Sequence, residues 1–243
     1  MDGGMYSEHV GLLAIFSMKE GQNMIKTVEL LNLEHTKAKD YLEQFEYPWQ
    51  ALKGIKNLIL ELGASLGEEY MEVSPHVWVH KTATVAPTAF LGEPCIIGAG
   101  TEVRHCAFVR GSALVGENCV VGNSVELKNV ILFDNVQVPH FNYVGDSILG
   151  YKSHMGAGSV TSNVKSDQTL VVVKNGEEKI ETGLKKFGAI LGDFVEVGCN
   201  SVLNPGTVVG THSNIYPTSC VRGVVAENSI WKNDGRVVKK EKR

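Results

Sequence analysis

Arg110 and Lys128 stand 18 residues apart, and His140 follows Lys128 by 12. These three residue types suit holding a phosphate and moving a proton. A guanidinium grips a phosphate in a two-pronged fork and an ammonium binds it as a point charge. An imidazole is the side chain best suited to moving a proton near neutral pH. A lone His is ordinarily structural, and seven others stand in this chain. His140 is singled out by its setting, Pro139-His140-Phe141-Asn142-Tyr143, where an otherwise regular pattern slips.

That pattern is what must position the three. Aliphatic residues recur every six positions at Val79, Val85, Leu91, Ile97, Val103, Val109, Val115, Val121 and Leu127. They recur again at Leu191, Val197, Leu203, Val209, Ile215 and Val221, with a small residue four positions on, as at Ala83, Cys95, Thr101, Cys119, Ser201 and Thr207. Gly often follows the aliphatic residue. Neither a helix period of 3.6 nor a strand period of 2 produces sixes, and a hexapeptide period signals a parallel β-helix. Three hexapeptides close one coil of about 18 residues, and coils stack at about 4.8 Å. Arg110 and Lys128 occupy the turning position normally held by Gly or Ala, as does Arg104, and their spacing puts them on one corner of adjacent rungs. Two cations a few ångströms apart repel by roughly 1–4 kcal/mol, depending on the dielectric. Either an anion, phosphate being the natural one, sits between them, or they are two solvated side chains.

The coil is expected over residues 73–228, with slips between Phe133 and Val138 and near Leu149, and a gap at about 161–188. In the gap, Thr169–Val173 and Lys179–Glu181 flank Asn175-Gly176, a β-hairpin signal; the excursion is either functional or a tolerated insertion. Residues 1–72 contain no hexapeptide. Thr27–Leu31 reads as a short strand and His35–Phe45 as a helix. Tyr47-Pro48-Trp49 opens a second helix with Leu52, Ile55, Leu58, Ile59 and Leu62 as its apolar stripe, ending near Gly63 or Gly67. The stripe is a packing face, onto the coil or onto a sister chain. Residues 229–243 form a basic tail, read as flexible from Arg236.

A net charge of −4 argues against a nucleic-acid binder. Val10–Phe16 is far short of the roughly 20 residues a membrane helix needs, and the acidic residues before it make a poor signal peptide. The five cysteines form no CxxC pair. Cys95 and Cys119 fall on the small inward position, as buried free thiols suited to the cytoplasm. No metal site is expected.

The residues Arg110-Gly111, Val121-Gly122-Asn123-Ser124-Val125-Glu126-Leu127-Lys128, Pro139-His140-Phe141-Asn142-Tyr143-Val144-Gly145-Asp146 and Met155-Gly156-Ala157-Gly158-Ser159-Val160-Thr161-Ser162-Asn163 carry a resemblance, spanning roughly 73–230. They resemble the acetyltransferase domain of the bifunctional N-acetylglucosamine-1-phosphate uridyltransferases/glucosamine-1-phosphate acetyltransferases. Thr182–Ala189 is similar to the archaeal-type sugar-1-phosphate nucleotidyltransferase/acetyltransferase branch. The resemblance implies a left-handed parallel β-helix, a homotrimer with active sites between subunits, and acetyl-CoA as co-substrate. It implies His140 as the catalytic base, with Arg110, Lys128, Tyr143 and Asn163 binding the sugar phosphate. Ala157 would offer its N–H to the thioester carbonyl, and Cys199 and Pro217 would line the coenzyme site. His154 stands where many members have Asn. A family lysine after Asn163 is displaced by the insertion, and Lys186 is its best equivalent. Lys185, Lys186 and the Lys239-Lys240 tail are candidates for the coenzyme phosphates.

Bifunctional relatives carry a nucleotidyltransferase domain in front. Here fewer than 80 residues precede the coil, Met1-Asp2-Gly3-Gly4 lacks the strand and Arg of a phosphate loop, and no uridyltransferase activity is expected. The expected reaction is acetylation of an aminosugar-1-phosphate, glucosamine-1-phosphate first, for UDP-N-acetylglucosamine biosynthesis. Rival readings are a non-catalytic sugar-phosphate or nucleotide-sugar-binding trimer, a stand-alone pyrophosphorylase-like remnant, and a γ-type carbonic anhydrase. The last would need three His around zinc, and an H-x4-H pair is missing.

Overall fold

The computed structural model describes residues 25–241. The expectations for Met1–Gly4, for Val10–Phe16 and for Lys242-Arg243 at the end of the tail lie outside them.

The six-residue period becomes a parallel β-solenoid with three faces. The first face begins at Val77–His80 and runs through Cys95–Ile97, Ala113–Val115, the end of Glu126–Leu132, the end of Tyr143–Leu149, Ala189–Leu191 and Thr207–Val209 to Val224–Val225. The second face runs from Thr84–Val85 to Ser229–Trp231, and the third from Phe90–Leu91 to Cys220–Val221. Successive rungs pair at a spacing of 18, as in Val79↔Ile97↔Val115, shortened to 17 where the register slips, as in Val115↔Leu132↔Leu149. The period-six aliphatic residues line the core from Ile97 onward, with Ile97, Val109, Val121, Leu127, Leu191 and Val209 fully buried, while Val85 near the open end is exposed. Each buried one contributes on the order of 1.5–3 kcal/mol of burial. From Cys95 onward the small position is also buried, and several of its hydroxyls are spent on corner carbonyls: Thr101 Oγ1 donates to Gly116 O at 2.8 Å, and Ser213 Oγ to Ala226 O at 2.7 Å. Gly at a turn has a steric cause, since a Cβ on Gly122 would lie 1.6 Å from Pro139 O.

The first face differs from the others because both of its surfaces are buried. Its outward residues Ile96, Leu114, Ile131, Ile148, Ile190 and Val208 are buried, and the N-terminal segment covers the strands of the first four. A 3-10 turn over Pro48–Gly54 continues into the helix Ile55–Ser65, and the stripe of Leu52, Ile55, Leu58 and Ile59 is buried. The stripe therefore packs on the chain's own coil. The helix touches the strands Cys95–Ile97, Ala113–Val115 and Glu126–Leu132, and Gly63 sits so close to Trp78 that a Cβ would meet its ring at 2.3 Å.

Four expectations need correction. Thr27–Leu30 is one helical turn, closed by Glu29, whose carboxylate accepts the Ile25 and Lys26 N–H groups at 2.9 Å each. The His35–Phe45 helix shrinks to Lys39–Leu42, preceded by a 3-10 turn at Leu33–His35, because this stretch is an anchored strap. Asp193 accepts the Asn32 N–H at 2.7 Å and the Tyr151 N–H at 2.8 Å, and the His35 ring stacks on Tyr151 at 3.6 Å. The parallel coil begins at Val77 rather than Val73, since Tyr70–Ser74 pairs antiparallel with Val77–His80. The tail is held through Lys240: Val237–Lys239 pairs antiparallel with Ser229–Trp231, and Lys240 Nζ donates to His212 O at 3.0 Å.

The gap holds the hairpin Val172–Asn175 and Glu178–Glu181, with Asn175 facing Glu178 and Gly176-Glu177 as the turn, one residue later than the Asn-Gly signal suggested. The excursion packs back through buried Val171, Val173, Leu184 and Phe187, and Phe187 stacks on Trp49 with centroids 5.8 Å apart.

Candidate functional site

Two edges of the coil carry the residues singled out above. The edge between the third and first faces carries the cations. Val109 pairs with Leu127, and the Arg110 N–H bonds to Leu127 O at 2.8 Å, so Arg110 and Lys128 share one corner on adjacent rungs as the spacing predicted. The next rung places Gly145 opposite Lys128, which aligns Asp146 with Asn129, and the rung after it brings Asn163 to the same edge.

The cations are not left to repel each other. Arg110 Nη1 bonds to Glu126 Oε1 at 2.8 Å, and Lys128 Nζ bonds to both Asp146 oxygens at 2.8 and 3.0 Å. The two pairs differ in burial. The Arg110 and Glu126 side chains are 48% and 32% exposed, whereas Asp146 is 5% exposed. The first is a surface pair, worth about 0–1 kcal/mol, which an incoming phosphate can displace. The second is built in. Tyr143 lies over this edge, its hydroxyl 3.1 Å from Asn163 Nδ2, and burial together with the Asp146 carboxylate pushes its phenol above the ordinary value of 10.0. Glu126, Asp146 and Asn129 were not singled out from sequence. Carboxylates facing two predicted cations across one rung were the available signal.

The edge between the second and third faces carries His140. His140 ends the strand Gln137–His140 and is exposed. Its imidazole makes no hydrogen bond or ion pair with any described residue, while its backbone is fixed: its N–H donates to Asn142 Oδ1 at 3.1 Å, and its carbonyl accepts the Gly158 N–H at 3.0 Å. Buried Asn142 in turn donates to Gly156 O and Ser159 O at 2.9 and 3.1 Å. The same ladder continues along the axis. Asn200 N–H bonds to Ala157 O, and Thr218 N–H to Cys199 O, each at 2.8 Å. His140, Ala157, Cys199 and Pro217 therefore follow one another rung by rung. The Ala157 N–H donates to no described residue and remains an open donor.

Beside that ladder lies a cleft of about 900 Å³, lined among others by His154, Gly156, Cys199, Tyr216 and Pro217, with Val238, Lys239 and Lys240 of the terminal strand as a wall. His154 Nδ1 lies 2.8 Å from Glu196 Oε2 there. Lys232 Nζ is 2.7 Å from the Tyr216 hydroxyl. Lys185 and Lys186 are exposed and do not line the cleft; Lys186 precedes Phe187, whose N–H bonds to Asn163 O at 2.9 Å, which puts it beside the cation edge.

Burial pushes the Cys95 and Cys119 thiols up to about 12, while Cys106, Cys199 and Cys220 are exposed and free. Among the described residues no three His, Cys, Asp or Glu side chains are grouped to hold a metal ion, and no helix is long and apolar enough to cross a membrane.

Comparison with known proteins gives one family, two relatives and one solved structure. The family profile of the GMPPB C-terminal domain matches residues 111–233, just over half of the chain. The Bifunctional protein GlmU of Methanococcus maripaludis is 30% identical over 89% of this chain and 54% of its own length. The Bifunctional sugar-1-phosphate nucleotidylyltransferase/acetyltransferase of Sulfurisphaera tokodaii is 26% identical over 76% of this chain and 47% of its own. The chain thus spans about half the length of these relatives. Among solved structures, the acetyltransferase domain of PglB from Neisseria gonorrhoeae, in complex with acetyl coenzyme A, is 16% identical, covers 72% of this chain and 60% of its own, and has a TM-score of 0.30.

Proposed function

This chain belongs to the GMPPB C-terminal domain family, and on that premise we propose that it is an acetyl-CoA-dependent N-acetyltransferase acting on an aminosugar-1-phosphate, with glucosamine-1-phosphate as first candidate. The observation that carries this reading is the backbone ladder in which His140, with an exposed imidazole, is one rung from Ala157, with an open N–H, and Ala157 is followed by Cys199 and Pro217 of the cleft wall.

The acceptor arrives as an ammonium, which has no lone pair to attack with. His140 takes its proton. The freed amine attacks the thioester carbonyl carbon, and the Ala157 N–H stabilises the oxyanion of the tetrahedral intermediate. The C–S bond then breaks, leaving the N-acetyl product and coenzyme A as thiolate. Arg110 and Lys128 hold the sugar phosphate with Tyr143 and Asn163 and so position the amine. The pantetheine arm lies along Cys199 and Pro217, and Lys239 and Lys240, which line the cleft, are the cations available to the coenzyme phosphates, while Lys185 and Lys186 stand away from it. The chemistry needs no metal.

The cation edge and the His140 ladder flank the third face, which supports sites completed by a second copy in a homotrimer. The outward Phe90 and Phe108 of that face are 59% and 43% exposed, with rings 5.7 Å apart, an apolar row suited to a subunit contact. The free buried thiols suit a cytoplasmic enzyme, and the product would feed UDP-N-acetylglucosamine synthesis.

A second reading, a non-catalytic sugar-phosphate or nucleotide-sugar-binding trimer, draws on one observation: Glu126 and Asp146 already neutralise the cation edge. Thiol release from acetyl-CoA in the presence of glucosamine-1-phosphate separates the two. Turnover supports the transferase, and tight binding without turnover supports the binder.

A further inference from the structure

Asp146 stands where few residues can. It is buried, at 4% exposure, and its backbone sits in the left-handed region with φ +48°, a conformation that Asp and Asn tolerate better than other side chains. Asn129 holds the equivalent corner one rung earlier with φ +55°. From there the Asp146 carboxylate reaches along the coil in both directions. Oδ1 accepts from Lys128 Nζ at 2.8 Å and from Asn129 Nδ2 at 2.9 Å; Oδ2 accepts from Lys128 Nζ at 3.0 Å and from Asn163 Nδ2.

These bonds dictate how each neighbour can meet a ligand. A side-chain amide has two N–H donors. Asn163 spends one on Asp146 and the other on the Tyr143 hydroxyl at 3.1 Å, so what it presents outward is its carbonyl oxygen, an acceptor. The Tyr143 oxygen accepts that bond, which leaves its own proton to give. Lys128 has three donors, at most two engaged by Asp146, and so keeps at least one. The edge is thereby split by polarity. Lys128 and Tyr143 are donors, suited to phosphate oxygens; Asn163 is an acceptor, suited to a sugar hydroxyl or an ammonium and not to phosphate.

We infer that Asp146 is the positioning residue of the acceptor site: its buried carboxylate turns Lys128 and Tyr143 toward a phosphate and Asn163 toward the sugar's donors. This rests on the aminosugar-phosphate reading and says which groups read which end of that substrate. Asp146→Asn, nearly the same in shape, puts an amide donor where the carboxylate accepted. Steady-state acetylation by the full chain, with glucosamine-1-phosphate and acetyl-CoA varied separately, is expected to show the KM for the sugar phosphate rising about 10-fold to 100-fold. The KM for acetyl-CoA should stay within about twofold, with kcat at saturation falling less than about fivefold. Asn129→Ala, which removes one donor to the same carboxylate, is expected to raise the same KM by about 3-fold to 10-fold and covers the case in which Asp146→Asn does not fold. Sugar-phosphate KM values unchanged in the folded variants, or both substrates' KM values rising together, overturn the role of Asp146 while leaving the transferase reading in place. Calorimetric titration with glucosamine-1-phosphate makes the complementary separation. A wild type that binds without turnover, and a variant that binds at least tenfold more weakly, uphold Asp146 while removing the proposed reaction. A wild type that neither binds nor turns over removes both.

Discussion

The Gly158 N–H donates to the His140 carbonyl at 3.0 Å across adjacent rungs, and this bond sets His140, whose imidazole is exposed, one rung from Ala157, whose N–H is open. The two residues proposed as proton acceptor and oxyanion donor are thus set one rung apart by backbone ladder alone. On the far side of the third face, Arg110 and Lys128 share a corner for the same reason, and the predictions below follow from these two edges.

The cation pair should separate function from stability. Arg110→Ala breaks an exposed ion pair and should change folding stability by less than about 1 kcal/mol. Lys128→Ala leaves Asp146 buried without its countercharge and should cost about 3 kcal/mol or more. Both should raise the KM for glucosamine-1-phosphate at least tenfold. Thermal unfolding and initial-rate measurements on the two variants check this, and equal melting temperatures would contradict the assignment of Asp146 as a permanent partner.

Coenzyme A should protect one thiol. Cys106, Cys199 and Cys220 are exposed, and Cys95 and Cys119 are buried with thiols pushed up to about 12. A thiol reagent should therefore leave the buried pair unmodified in the native protein, and saturating coenzyme A should slow labelling of Cys199. Peptide mapping after timed labelling reads the result. Cys199 modified at the same rate with and without coenzyme A would move the coenzyme out of this cleft.

The strap has a pH signature. Burial, the largest cause, raises the Asp193 carboxyl above its ordinary 3.8, against the lowering effect of the Asn32 and Tyr151 N–H groups. A carboxyl raised on folding contributes stability that is present in full below its unfolded pKa and is lost as pH rises through the folded one. The melting temperature of the wild type relative to Asp193→Asn should therefore fall as pH is raised from below 4 toward neutrality. A gap that widens instead would show that the two N–H bonds outweigh burial.

Glycine at the turn should be steric rather than incidental. Gly122→Ala places a methyl group 1.6 Å from Pro139 O and should destabilise by more than about 4 kcal/mol, whereas Gly67, with nothing within 4 Å, should accept Ala within about 0.5 kcal/mol. Denaturant unfolding of both variants checks the contrast.

The coil was legible because its signal repeats: one inward aliphatic residue per six, read over fifteen positions, fixes rung spacing and brings Arg110 to Lys128. The covering helix was legible from Leu52, Ile55, Leu58 and Ile59, and the choice between coil and sister chain was settled by the first face. Its outward Ile96, Leu114, Ile131 and Ile148 make runs such as Cys95-Ile96-Ile97 apolar on both sides of the strand. The strap was not legible. Thr27–Leu42 is held by bonds to Asp193 and Asp134 and by the His35–Tyr151 stack, contacts made more than a hundred residues away for most of them, which local propensity cannot register. At the cation edge, spacing located the charges but could not say what offsets them. Glu126 sits beside Lys128 in the chain yet serves Arg110, and Asp146 serves Lys128, because the third face sets side by side residues 16 to 18 apart.

The most direct test of the account is thiol release from acetyl-CoA with glucosamine-1-phosphate, comparing the full chain with His140→Ala. The wild type should turn over and the variant should lose about 10²–10⁴-fold with an unchanged melting temperature, since the exposed imidazole makes no hydrogen bond or ion pair with any described residue. Near-normal turnover in the variant, or none in the wild type with any aminosugar phosphate, would contradict it.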